Sequence, residues 1–154
     1  MLSNMRGIFH DINAYEKTLK AGNLVVYEFY LLEQAILSSE LVFGTTIVYV
    51  GKIGKEYFMT KGHFNQTSNT AEIHIGIRGS GVILLENQSG DVEFQEITPG
   101  TVIYIPPNYA HRTINTSESE PLISFYTCRA DAGRNYERIE MEGFRKILVC
   151  EGGV

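Results

Sequence analysis

The sequence predicts an all-β fold of the sandwich or barrel type, preceded by one short helix, and three observations predict it. From Leu24 onward the chain is rich in Val, Ile, Tyr, Phe and Thr, the residues that suit a pleated surface. These stretches are short and are broken by Gly, Pro and Asn turns at near-regular intervals. Nowhere do strands alternate with long helical patterns, as a parallel α/β sheet would require.

Residues 8 to 22 carry the helix signal. Asn13 is placed to cap, Glu16 stands three residues on as in a capping box, and Gly22 can close the C-terminus. Its apolar positions are too few for a core helix, so a short surface helix is expected. Strands are expected at Leu24 to Leu32 and Leu41 to Val50, with a turn at Gly51-Lys52-Ile53-Gly54, then at Glu56 to Thr60 and Ala71 to Arg78. Gly79-Ser80-Gly81 turns tightly into Val82 to Glu86, and the Asn87 to Asp91 turn returns Val92 to Ile97 against it. Thr98-Pro99-Gly100 turns into Thr101 to Ile105, which Pro106-Pro107 stops because proline cannot donate to a ladder. His111 to Asn115 and Leu122 to Thr127 follow, separated by an acidic loop. One helical turn is expected within Tyr136 to Gly143 and a last strand at Phe144 to Cys150.

No linker, repeat or low-complexity stretch interrupts the 154 residues, which are read as a single domain with the barrel spanning roughly residues 24 to 150. A chain of that length buries roughly 70% of its unfolded surface, enough for its own core. Net charge is −5 with acids and bases interspersed, which argues against nucleic acid or an anionic membrane as a partner. No apolar run approaches the length of a membrane span, and the first residues lead into no apolar signal region. Cys128 and Cys150 form no C-x-x-C pair and read as free thiols, so the expected location is the cytoplasm.

The chemistry concentrates in three short segments. Three of the four histidines, His63, His74 and His111, lie in Thr60-Lys61-Gly62-His63-Phe64-Asn65, in Ala71-Glu72-Ile73-His74, and in Pro106-Pro107-Asn108-Tyr109-Ala110-His111-Arg112. Imidazole and carboxylate are the usual nitrogen and oxygen ligands of a divalent transition metal. Alternate residues of a strand share a face, which groups His63 with Asn65 and Glu72 with His74, while Ile73, Ile75 and Ile77 take the other side. A hairpin joining those two strands would bring the polar faces together, and His111 would arrive from a later strand. Alone, Glu72 reads as a solvent-facing strand residue. Lys61 and Arg112 alternate with the histidines and so read as surface or interface residues. Thr113 shares the His111 face and reads as barrel lining.

The pattern G-H-x-H, six residues, E, then P-G-T-x-x-x-x-P-P-x-x-x-H is that of metal-binding cupins. With Asn23 to Tyr30, Phe43-Gly44-Thr45-Thr46, Met59-Thr60-Lys61-Gly62-His63 and Ala130-Asp131-Ala132-Gly133, the chain closely resembles the archaeal-type, cupin-fold phosphoglucose isomerases from about residue 23 onward. The resemblance implies a double-stranded β-helix, or jelly-roll barrel, that works as a homodimer. It implies one divalent transition metal ion (Fe, Ni, Mn or Zn) held at His63, Asn65, Glu72 and His111. It places the substrate phosphate on hydroxyl and backbone donors at Thr46, Thr60 and Gly62, with Arg134 and Tyr136 in the same pocket. Four positions depart from the family. Asn65 stands where it has histidine, His74 where it has tyrosine, Cys128 where it has tyrosine, and Arg134 where it has histidine. Asparagine is a weak ligand for such metals, so His74 is a candidate to replace it, and arginine binds phosphate well.

The implied reaction is the aldose–ketose interconversion of glucose 6-phosphate and fructose 6-phosphate. A metal would polarise the C1 and C2 oxygens. Glu72 is the candidate base for proton transfer through a cis-enediol, with a direct hydride shift as the alternative. Two rival readings keep the fold and change the function: a paralogue isomerising another phosphorylated sugar, and a non-catalytic sugar-phosphate-binding cupin. A purely structural module leaves the polar lumen face unexplained.

Overall fold

The computed structural model describes residues 1–32 and 37–151. After a 3-10 turn at Leu2–Met5 comes helix α1, Ile12–Ala21. Ten strands follow: β1 Tyr27–Leu32, β2 Leu41–Val48, β3 Lys52–Ile53, β4 Glu56–Tyr57, β5 Glu72–Arg78, β6 Gly81–Asn87, β7 Val92–Ile97, β8 Val102–Ile105, β9 Tyr109–Asn115 and β10 Leu122–Arg129. Helix α2, Glu137–Glu142, is a single short segment. The strands form a five-stranded sheet in the order β1-β2-β10-β5-β8 and a three-stranded sheet in the order β7-β6-β9, with β3 and β4 as a small hairpin. Every pairing is antiparallel. The all-β expectation holds.

The inward faces supply the core: Val48, Ile83, Leu85, Ile97, Ile103, Ile105, Ile114 and Leu122 are each 2% exposed or less. Burying each such aliphatic side chain contributes about 1.5–3 kcal/mol. The outward face of the larger sheet is apolar as well. Tyr30, Phe43, Ile73, Ile77, Val102 and Tyr104 stand exposed there, with Phe43 and Phe125 rings 6.0 Å apart across β2 and β10. Ile73 and Ile77 therefore take the side opposite Glu72, as their parity predicts, but that side is a surface.

Several boundaries differ from the sequence expectation. Helix α1 is capped by Asp11, whose carboxylate accepts from the Ala14 N–H at 2.9 Å, and the helix begins before Asn13. Asp11 is held in place because its own N–H and that of His10 donate to the buried Glu56 carboxylate. Gly22 does close the helix, its N–H reaching the Thr18 carbonyl. Lys52 and Ile53 are strand rather than turn, and the reversal falls between β3 and β4. The expected last strand shortens, among the described residues, to one bridge between Val149 and Glu56.

The expected hairpin between the His63 segment and β5 does not form. Residues 59–64 instead run along β9 through the bridges Met59–Ile114 and His63–His111. His63 N–H reaches the His111 carbonyl at 3.3 Å, and His111 N–H reaches the His63 carbonyl at 3.1 Å. The two imidazoles are thus brought together by backbone pairing of the two motifs. The turn that delivers His111 is set by Pro106-Pro107 and by Asn108, whose φ of 68° is one that asparagine tolerates.

Candidate active site

Glu72 opens β5 with its side chain directed inward, 4% exposed. One oxygen, Oε1, lies 3.6 Å from His63 Nε2. The other, Oε2, lies 3.5 Å from His111 Nε2 and 3.3 Å from His74 Nε2. The His63 and His111 rings meet edge to face at 4.5 Å between centroids, and His74 stands 5.1 Å from His111. Burial pushes the Glu72 carboxyl up, but His111, His63 and His74 together outweigh it and hold the carboxyl well below its usual range. Burial pulls the His111 imidazole well below its ordinary value, more than Glu72 raises it. At neutral pH the cluster therefore presents a carboxylate and a neutral imidazole, the protonation states a metal ion requires.

His63, Glu72 and His111 offer ligand atoms within 4.8 Å of one another, and these three could hold a metal ion. His63 Nε2 is buried with no hydrogen-bond partner. Such an orphaned nitrogen beside a carboxylate fits a coordinating role, because a buried polar atom without a partner is costly. His74 lies outside that group of three. A carboxylate only accepts, so the His74–Glu72 contact makes His74 Nε2 the donor. Asn65 turns away: its amide donates to the Thr70 carbonyl at 3.2 Å, and it does not line the pocket.

The cluster forms the floor of a pocket open to solvent. Thr46, Thr60, Gly62, Arg134 and Tyr136 all line its walls, as do Thr113 and the four residues of the cluster. Cys128 does not line it. Burial pushes its thiol up to about 12, with the Glu72 charge adding to the effect, so it stays neutral. Tyr126, which sequence reasoning passed over, supplies a phenol instead. It stacks on His74 at 5.9 Å and accepts a hydrogen bond from Arg134 Nη2 at 3.1 Å. Parity along β10 carried the signal, since Tyr126 and Cys128 share a face and lie opposite His74 and Glu72. Tyr27 and Phe29 were likewise missed. Phe29 sits opposite Thr46 and beneath the Arg134 guanidinium.

Two expectations are corrected. Lys61 lines the pocket rim and pairs with Glu140 at 2.7 Å. Arg112 is no surface residue: it is 2% exposed, stacked at 4.4 Å over Phe144, and donates from Nε and Nη2 to the Lys61 carbonyl. Strand alternation does turn Arg112 away from the pocket, but the C-terminal segment covers that side.

Known proteins similar to this chain were found by sequence and by structure. The family described as glucose-6-phosphate isomerase (GPI) matches residues 2–154. The chain is 47% identical over 152 residues to the glucose-6-phosphate isomerase of Thermococcus gammatolerans, covering 99% of this chain and 79% of that protein. It is 43% identical to the one of Pyrococcus furiosus, covering 99% and 80%. Among solved structures, an oxalate oxidase superposes with a TM-score of 0.61 at 9% identity, covering 80% of this chain and 61% of that one. The oxalate decarboxylase of Lactobacillus farciminis superposes at 0.58 with 14% identity, covering 73% and 31%. At such low identity these two speak for the fold alone, which is the cupin fold.

Proposed function

The chain belongs to the cupin-type glucose-6-phosphate isomerase family, and from that membership we propose how its pocket interconverts glucose 6-phosphate and fructose 6-phosphate. The observation that carries the reading is one buried carboxylate, Glu72, among three imidazoles at the floor of a pocket whose walls carry Arg134, Thr46, Thr60 and Gly62. His63, Glu72 and His111 would hold a divalent metal, and that ion would polarise the C1 and C2 oxygens of the opened sugar.

The rest falls to the protein's own groups. Arg134, a charged fork tethered to Tyr126 and stacked on Phe29, receives the phosphate together with the Thr46 and Thr60 hydroxyls and the Gly62 N–H. Held at that end, the sugar extends its C1–C2 end to Glu72. In the aldose-to-ketose direction the carboxylate takes the proton from C2, leaving an enediol, and returns it to C1 as a hydroxyl proton moves from O2 to O1. Glu72 is held as the carboxylate, the form that can take a proton. His74 donates to Glu72 and holds its orientation, a role we assign to it in preference to metal ligation. The test is an assay for fructose 6-phosphate formation after dialysis against chelator and after adding back Fe, Ni, Mn and Zn singly. Activity lost and then restored is expected. Full turnover without metal would overturn the metal-dependent reading, and phosphate binding without turnover in any metal would leave a binding module.

The exposed apolar face of the large sheet supports a homodimer, because contiguous apolar patches on this scale mark association sites. Light scattering is expected to return twice the mass of one chain, and a monomer mass rejects the assignment. Among the described residues no helix is long and apolar enough to cross a membrane. The free Cys128 and Cys150 suit a reducing compartment, so we place the enzyme in the cytoplasm, where fractionation should recover it.

A further inference from the structure

Arg112 is a fully buried cation that the functional reading leaves unused. Among the described residues no carboxylate comes within ion-pair distance of it, and Glu56 and Glu86 act on it only from further away. Burial draws its guanidinium down to about 10, so it remains charged at neutral pH. A buried charge without a counter-ion is costly and persists only where something complements it. Its donors converge on one atom: Nε and Nη2 reach the Lys61 carbonyl at 3.1 and 2.6 Å.

That carbonyl belongs to the segment running along the pocket wall. Thr60 N–H is taken by the Thr113 carbonyl and His63 N–H by the His111 carbonyl. Among the described residues Gly62 N–H has no backbone acceptor. The peptide is trans, so a Lys61 carbonyl fixed toward Arg112 turns the Gly62 N–H the opposite way, toward the pocket. Gly62 holds φ of 78°, and a Cβ there would lie 2.6 Å from the Phe144 ring and 2.9 Å from the His111 carbonyl. The same Phe144 ring carries the Arg112 guanidinium on its face. Phe144, Arg112 and Gly62 thus form one packed unit behind the wall.

We propose that Arg112 is a positioning residue for phosphate recognition, fixing the Lys61–Gly62 peptide so that the Gly62 N–H points at the bound phosphate while the buried guanidinium balances the anion's charge from behind. The inference rests on the reading that Thr60 and Gly62 receive the substrate phosphate. Lysine in its place would keep the charge but offer a compact ammonium instead of a planar fork, and it would lose the stack on Phe144.

The experiment titrates inorganic phosphate into zinc-loaded wild type, Arg112→Met and Arg112→Lys by calorimetry, with sorbitol as the unphosphorylated control and bound zinc counted in each. Loss of a charge-assisted contact predicts a phosphate Kd weakened about ten- to hundredfold in Arg112→Met. Arg112→Lys should fall between it and wild type, with zinc content and sorbitol affinity retained in both. A wild-type phosphate Kd in either folded variant overturns the proposal, as does equal weakening of phosphate and sorbitol. If Arg112→Met does not fold, Arg112→Lys decides alone. Failure of the wild type itself to bind phosphate would overturn the functional reading beneath it, whereas binding by wild type with no change in the variants removes Arg112 only.

Discussion

Glu72→Gln is expected to reduce isomerase turnover by roughly a hundred- to ten-thousandfold, the range general acid–base catalysis supplies. The amide is close to isosteric, so the pocket keeps its shape, but it carries no charge and cannot accept a proton from the substrate. Its effect reaches beyond the proton. His74 Nε2 lies 3.3 Å from Glu72 Oε2 and now points its N–H at the carboxylate. A glutamine there presents either a weaker oxygen or an N–H facing an N–H. The phosphate end of the pocket, with Arg134 tied to Tyr126, does not touch residue 72 through hydrogen bonds. Inorganic phosphate should therefore still bind. Fructose 6-phosphate formation read beside phosphate titration separates the two effects, and wild-type turnover in the variant would remove Glu72 from the mechanism.

How far this site was legible before the fold was known depended on whether the deciding geometry was local. Within one strand, parity is enough. Glu72 and His74 were grouped on one face and Ile73 and Ile77 on the other, and the structure has them so. The proline pair that stops β8 is likewise local chemistry. Partnering between distant segments was not legible. The sequence suggested that the His63 segment pairs with β5, its neighbour in the chain, yet it pairs with β9 through His63 and His111. No periodicity encodes which of two strands a short segment chooses. Arg112 shows the same limit from another side. Alternation correctly turned it from the pocket, but its burial is decided by Phe144, 32 residues on, which no pattern around Arg112 announces. The helix cap moved from Asn13 to Asp11 for a similar reason. The buried Glu56, far along the chain, takes the His10 and Asp11 N–H groups and so sets where the helix can begin.

His111→Ala should release the metal and alter the acid stability of the metal-free protein in a way that identifies this imidazole. Losing an outer partner of a metal ligand typically costs about 10–100-fold in affinity. Losing a ligand from a group of three should exceed that, so the variant is expected to emerge from dialysis nearly metal-free where wild type retains its ion. The pH dependence follows from burial. His111 takes up a proton far less readily when folded than a free histidine does. The unfolded chain, with a histidine near 6.5, therefore binds protons first as pH falls. The stability that neutral His111 protects is fully present above about 6.5 and declines below it. Glu72, held low in the folded state, adds its own loss only as pH approaches the ordinary carboxylate range near 4.3. Between those two values the acid slope belongs chiefly to the buried imidazole. Denaturant unfolding of chelated wild type across that window should show stability falling with pH, and His111→Ala should flatten the slope. An unchanged slope with unchanged metal retention would mean that His111 is neither the buried neutral base nor a ligand, and the cluster around Glu72 would lose its place as the metal centre.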